Sequence, residues 1–213
     1  MVRQRISRDG CAGRRARQGA IAAVLMIGLS GCVAEEMGAG LSSSLPDVPT
    51  RWDHHPEADT WTAAAFVAVA EKDAVLAGRV PGDIAAWCPG YAEAPLNDRR
   101  AFWVGLMSAV AKSESSFNPA AAGGGGRYVG LMQISPKTAQ ANGCDATSAG
   151  ALKDGGENLE CAVEVFSRDV ARDGVVAGKG NRGVGRQWMP LRKAGKRSEM
   201  AEWIASQPYC AKG

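Results

Sequence analysis

The stretch DRRAFWVGLMSAVAKS, residues 98–113, decides the fold of this chain. If it forms a helix, apolar side chains cover most of its sides. They are Phe102, Trp103, Leu106, Met107, Ala109 and Val110. A helix that is apolar on most sides must be surrounded by protein, so we expect it to lie at the centre of the domain. Asn97 is the candidate N-cap.

Glu114 follows this stretch, within KSESSFNP at residues 112–119. If the helix persists to Glu114, its carboxyl group projects on the same side as Met107 and Val110. Apolar surroundings raise the pKa of a carboxyl group and keep a proton available near neutral pH. Glu114 is therefore a candidate for proton transfer, although a solvated Glu at a helix end would give the same pattern.

A second segment, GLMQIS at residues 130–135, follows closely. The two segments together resemble the first two motifs of the soluble-lytic-transglycosylase family, relatives of goose-type lysozyme that cut the glycan strands of peptidoglycan. The resemblance spans about residues 97–192 and implies a mainly α, lysozyme-like fold with few or no short strands. It also implies that Glu114 is catalytic and that Ser115, Met132 and Gln133 contact the sugar.

Two further family motifs are altered. NLECA, residues 158–162, approximates the third motif with Ala in place of Gly, and it makes Asn158 a candidate sugar contact. The fourth motif is normally Ala-Tyr-Asn-Ala-Gly, but the corresponding region, GVGRQWMPL at residues 183–191, has no Tyr. Trp188 either forms a wall of the cleft, because saccharides pack on aromatic faces, or belongs to the core.

The resemblance implies a reaction with one catalytic carboxyl group and no cofactor. In this family one Glu protonates the leaving oxygen and then deprotonates the muramyl 6-hydroxyl, which gives a 1,6-anhydro product. No second acid follows Glu114 at a suggestive distance, although Asp145 or Asp154 could fold near the cleft. A hydrolytic muramidase of the same fold and a catalytically weak, peptidoglycan-binding scaffold lipoprotein are the alternatives.

The first 31 residues have the pattern of an export signal, with a basic start and the apolar run AIAAVLMIGL at residues 20–29. LSGC, residues 29–32, resembles the lipobox of bacterial lipoproteins, which makes Cys32 the candidate lipidation site. An ordinary secretory signal is the alternative. Val33 after the cysteine suggests, by analogy with lipoprotein sorting, the periplasmic face of an outer membrane. Residues 32–59 would be the lipidated end and a flexible tether, and residues 60–213 the catalytic domain.

The charge of the chain argues against nucleic acid as a partner. The formal net charge is +3, but residues 1–31 hold six of the 25 basic residues and one of the 22 acidic residues. Removing this segment leaves a formal charge of −2 and no basic tract. The family resemblance implies glycan strands as partners, and the lipobox implies a membrane through the lipid anchor. The adjacent His54 and His55 are expected in a surface loop rather than at a metal site.

Four cysteines remain after Cys11 and Cys32 are set aside, an even number that is typical of disulfides in an exported protein. We expect Cys144 to pair with Cys161, which is close in sequence, and Cys88 to pair with Cys210 at the end of the chain. Four free thiols are the alternative. A zinc site is disfavoured because no CxxC spacing occurs.

Three more helices are predicted around the central one. Thr60 is the candidate cap of a first helix, Pro136 is suited to the first position of a short helix, and Ser198 is the candidate cap of a final helix. A further amphipathic helix is marked by apolar residues at helical spacing, namely Leu159, Ala162, Val163, Phe166 and Val170.

Overall fold

The computed structural model describes residues 46–211. This part of the chain is mainly helical, as predicted, with one two-stranded antiparallel sheet. The helices are α1 (Ala58–Glu71), α2 (Leu96–Glu114), α3 (Pro136–Asn142), α4 (Gly155–Asp173) and α5 (Ala194–Ala205). The strands are β1 (Ala122–Gly123) and β2 (Tyr128–Val129), which form a small hairpin between α2 and α3.

Helix α2 lies at the centre of the domain, as its sequence predicts. All residues from Ala101 to Ala111 are buried, and α2 packs against α1, α5 and the C-terminal turn Pro208–Cys210. The turn comes so close that a Cβ atom on Gly105 would lie 2.1 Å from the Tyr209 hydroxyl oxygen. The helix begins at Leu96 after Pro95, so Asn97 is not its cap.

Side-chain caps are found at the two helices that support the segment of residues 130–135. The Ser135 hydroxyl accepts a hydrogen bond from the Thr138 N–H at 3.0 Å, and Asp154 Oδ1 accepts one from the Glu157 N–H at 3.0 Å. Pro136 occupies the first turn of α3, as predicted. The predicted caps Thr60 and Ser198 are wrong, because both residues lie inside helices that begin earlier.

The predicted tether is too long. Within it, Trp52 is completely buried, stands edge-on to Trp61 and donates a hydrogen bond from Nε1 to the Thr62 hydroxyl at 2.9 Å. The Arg51 N–H also donates to the Ser108 hydroxyl of α2 at 3.0 Å. The folded domain therefore includes residues from at least Val48, which is buried as well.

Residues 1–45 lie outside the described part of the chain. The predicted signal peptide, the lipidation site Cys32 and the first part of the tether all fall there. Within residues 46–211, no helix is both long enough and apolar enough to span a membrane.

Both predicted disulfides are confirmed. Cys88 is bonded to Cys210 with the Cα atoms 4.7 Å apart, and Cys144 is bonded to Cys161 with the Cα atoms 5.1 Å apart. The first joins residues 122 positions apart, and a loop of that size is worth on the order of 4–5 kcal/mol in the chain-entropy model. It ties the C-terminal turn to the segment between α1 and α2, and the second joins the residues after α3 to α4.

Candidate functional site

Glu114 is the last residue of α2 and is half-buried. Burial raises the pKa of its carboxyl group to about 7, because the protein interior disfavours the charged form. Burial is the cause of this rise, and no other carboxylate within residues 46–211 contributes to it. The group can therefore both donate and accept a proton near neutral pH.

The chain turns sharply after Glu114. Ser116 and Phe117 have φ angles of +53° and +65°, in the left-handed region that residues other than glycine rarely adopt. Phe117 is nevertheless anchored, because its ring is buried and stands edge-on to the His54 ring, with the ring centroids 5.4 Å apart. The hydroxyl of Ser115, a predicted sugar contact, donates back to the Ala111 carbonyl at 3.3 Å. Strain of this kind concentrates at functional sites, which agrees with the prediction for Glu114.

Gln133 also has a left-handed backbone, with a φ angle of +49°. Its side-chain Nε2 donates hydrogen bonds to the carbonyl oxygens of Ala121 at 3.3 Å and Gly130 at 3.0 Å. These two bonds fix the orientation of the amide. The side chain remains half-buried, so a ligand at the surface can reach it.

Asn158 is completely buried and holds the same segment from below. Its Oδ1 accepts from the Met132 N–H at 2.8 Å, and its Nδ2 donates to the carbonyls of Val129 and Leu152 at 3.1 and 2.9 Å. A Cβ atom on Gly130 would lie 2.2 Å from this nitrogen, so glycine is required there. The prediction that Asn158 contacts sugar is wrong in this structure, because all of its bonds go to the protein backbone.

The side chain of Met132 has no exposed area, and Trp188 is 4% exposed. The Trp188 Nε1 donates to the Met132 carbonyl at 2.9 Å, and its ring stands edge-on to Phe166 at 4.8 Å. Of the two interpretations of Trp188, the structure therefore supports the core. Both side chains are almost completely buried, and each lines a small cavity at the surface.

A shallow cavity of about 50 Å³ brings the predicted residue Gln133 together with two residues that sequence reasoning missed, Tyr128 and Gln187. Met132 and Trp188 lie at its base. Tyr128 precedes Gln133 by five residues, and Gln187 directly precedes Trp188. No periodicity or motif marks either residue, because their proximity depends on how the hairpin and the loop of residues 174–193 fold.

Carboxylates of Asp83 and Asp173 help to hold the loop of residues 174–193. Asp83 accepts hydrogen bonds from the N–H groups of Val176, Ala177 and Gly178 at 2.6, 3.0 and 2.7 Å. Asp173 accepts two from the Arg186 guanidinium group at 2.6 and 2.8 Å. The bond from Arg186 is the main reason why the pKa of Asp173 falls to about 2, and the Gly183 N–H also lowers it.

Other acidic residues gather away from these segments. Glu71, Asp145, Glu157, Glu160 and Glu164 line a cavity of about 220 Å³ beside the Cys144–Cys161 disulfide. Asp145 therefore lines this acidic cavity, and Asp154 caps α4. Among residues 46–211, no group of three or more His, Cys, Asp or Glu side chains could hold a metal ion. His54 is exposed, and His55 stacks on Trp61.

Comparison with known proteins agrees with the fold. Residues 95–199 match the model of the transglycosylase SLT domain. Three solved structures of the protein DslA, the wild type and two variants with glutamate replaced by glutamine, match with 27% sequence identity. They cover 77% of this chain and 98% of DslA, with TM-scores of 0.68–0.69. No curated protein matches the chain. The mainly helical, lysozyme-like fold that the sequence predicted is confirmed.

Proposed function

We propose that this chain, whose residues 95–199 match the transglycosylase SLT domain, is a lytic transglycosylase of peptidoglycan. It cleaves the bond between N-acetylmuramic acid and N-acetylglucosamine and leaves 1,6-anhydromuramyl ends. The observation that carries the proposal is the state of Glu114, a half-buried carboxyl group with a pKa of about 7 at the end of the central helix.

The first step needs a proton on the leaving oxygen as the glycosidic bond breaks. A carboxyl group with the ordinary pKa of 4.5 would carry a proton in well under about 1% of molecules at pH 7. With its pKa raised to about 7, Glu114 carries one in about half of them. Glu114 donates this proton, the leaving sugar departs with it, and the acetamido group of the substrate assists at the anomeric carbon.

The second step uses Glu114 as the base. The carboxylate formed in the first step takes the proton of the muramyl 6-hydroxyl. The oxygen of that hydroxyl bonds to the anomeric carbon as the bond from the acetamido oxygen breaks, which restores the acetamido group. Glu114 is thereby protonated again, and no water is consumed. An intramolecular hydroxyl has a high effective concentration when it is well placed, which favours it over water.

The electrostatics of Glu114 support a mechanism with one carboxyl group. A retaining glycosidase places a second carboxyl group about 5–5.5 Å from the first, and a like charge that close raises the pKa further. Here burial accounts for the rise, and neither Asp145 nor Asp154 contributes to it. The buried bonds of Asn158 and Trp188 then serve to fix the position of Gln133 relative to the substrate.

A lipid anchor at Cys32 is part of the proposal and is supported by LSGC at residues 29–32. Val33 supports the periplasmic face of the outer membrane. Intact mass measurement of the processed protein tests the anchor, and a mature chain without the added mass of acyl groups would contradict it.

Replacement of the carboxyl group tests the proposed function. Glu114→Gln keeps the shape of the side chain but cannot titrate, so turnover of purified glycan strands should fall by at least about 100-fold. Glu93→Gln is the matched control, since Glu93 is exposed, and it should keep wild-type activity.

Substantial turnover by a correctly folded Glu114→Gln protein would contradict the assignment. A wild-type protein that binds glycan strands without cleaving them would instead support the scaffold alternative.

A further inference from the structure

Aromatic side chains are almost entirely internal in this protein. All six Trp, three Tyr and four Phe residues lie within the described part of the chain. Among them Tyr128 is the single exposed residue, at 43%. Trp203 is half-buried beneath the Arg51 guanidinium group, 4.8 Å from its ring centroid, and the other eleven are buried. Within residues 46–211, Tyr128 is therefore the most exposed of the Trp, Tyr and Phe rings.

Tyr128 lies beside the segment of residues 130–135. It belongs to β2, where it pairs with Gly123 of β1, and the chain runs from it directly into the segment of residues 130–135. Its side chain lines the same cavity as Gln133 and Gln187. The exposed ring thus stands at the rim of a depression with amide groups around it and apolar side chains at its base.

Glycines of the hairpin make room for this arrangement. A Cβ atom on Gly124 would lie 2.9 Å from Cδ2 of the Tyr128 ring, and Gly124 has a left-handed φ angle of +57°. A Cβ atom on Gly123 would lie 2.5 Å from Oε1 of Gln133. A side chain at either position would push away the ring or the amide. The glycine-rich stretch of residues 123–126 therefore lets both groups pack directly on the hairpin.

We propose that Tyr128 is a sugar-binding residue, on whose ring one pyranose of the glycan strand packs while Gln133 accepts a hydrogen bond from the same sugar. This inference rests on the proposed function and adds a binding contact to it. The carbon-bound hydrogens of a pyranose face pack well on an aromatic ring, and binding sites combine such apolar faces with a few fixed polar groups. The Gln133 Nε2 is already held by two carbonyls, which leaves Oε1 to accept from a sugar hydroxyl or amide.

Three variants test whether the Tyr128 ring binds a sugar. Tyr128→Ala removes the ring, and Tyr128→Phe keeps it without the hydroxyl. Leu96→Ala is the matched control, because Leu96 is also 43% exposed and lies at the opposite end of α2 from Glu114. With a rise of 1.5 Å per residue, the two ends are about 27 Å apart.

The kinetics of glycan-strand cleavage should separate these variants. Tyr128→Ala should raise KM on the order of tenfold with kcat changed less than about twofold, because a stacked ring contributes to binding. Tyr128→Phe and Leu96→Ala should stay within about twofold of the wild type in both constants, and all three should keep the wild-type Tm.

Two results would contradict the proposal that the Tyr128 ring binds a sugar. One is a KM for Tyr128→Ala equal to that of Leu96→Ala. The other is an equal loss in Tyr128→Phe and Tyr128→Ala, which would assign the effect to the hydroxyl rather than the ring. Both require an active wild type. The failure of the proposed function itself would appear differently, as a wild-type protein without turnover.

Discussion

Two segments meet at the cavity beside Tyr128, and they are held by different kinds of contact. The segment of residues 130–135 is held by neutral, buried groups, with Asn158 below it and the Trp188 indole on its carbonyl. The loop of residues 174–193 shares the Trp188 bond and is held in addition by the carboxylates of Asp83 and Asp173. Buried neutral hydrogen bonds do not respond to pH or salt, whereas charged contacts near solvent do.

The difference shows where the site is rigid and where it can vary. The segment that carries Gln133 has its backbone position fixed from the core. The loop that carries Gln187 is anchored in the core at Trp188 and is held in addition by charged groups. We therefore expect loss of a buried bond of the first segment to destabilise the domain more than loss of a charged contact of the loop.

The largest effect is expected for Asn158→Ala. It removes three buried hydrogen bonds and leaves the Met132 N–H and the Leu152 carbonyl without a partner, while the Val129 carbonyl still accepts from the Ile134 N–H at 3.0 Å, so the free energy of unfolding should fall on the order of 4 kcal/mol. Urea denaturation measures this. Asn181→Ala, at an exposed asparagine in the loop, is the control and should change stability by less than about 0.5 kcal/mol. A similar small change in Asn158→Ala would mean that the segment is not held from below.

A smaller, pH-dependent effect is expected for Asp173→Asn. The bond from Arg186 lowers the pKa of Asp173 to about 2, so the ionised group stabilises the fold. This contribution is present above the ordinary pKa of 3.8 and is lost as the pH falls toward 2. The Tm of the variant should thus lie slightly below that of the wild type at pH 6, with the difference vanishing near pH 2.

The contrast with Asn158→Ala sharpens the comparison, because the loss in that variant should persist at every pH at which the protein is folded. Thermal melts of Asn158→Ala and Asp173→Asn between pH 6 and pH 2 would measure this difference. A pH-independent difference for Asp173→Asn would show that the loop is held by contacts other than the ion pair.

The sequence predicted the helices better than their ends. The apolar pattern of residues 98–113 is strong because a central helix is apolar all round, and α2 is where it was expected. Thr60 and Ser198 are good capping residues, but neither caps a helix here. Likewise, the residues before α1 contain Pro49 and Pro56 and look like a linker, yet Trp52 between them inserts into the core. Contacts distant in sequence decide these boundaries.

The sequence predicts which segments form the site better than it predicts what each residue does there. Glu114 has the burial and the raised pKa that its place in the pattern suggested. Asn158 and Met132 were assigned to the sugar, but burial assigns them to the support of Gln133. Motif spacing cannot separate a residue that touches a ligand from one that holds its neighbour. Tyr128 was missed for the same reason, since exposure becomes visible only when the hairpin is folded.

Product analysis tests the central claim, that Glu114 performs both proton transfers and the substrate closes on itself. Purified glycan strands are digested with the wild-type protein and with Glu114→Gln, and the released muropeptides are identified by mass. We predict 1,6-anhydromuramyl ends from the wild type and almost no product from the variant. Reducing muramic acid ends as the main wild-type product would contradict the account, because they would mean that water, rather than the substrate's own 6-hydroxyl, attacks the anomeric carbon.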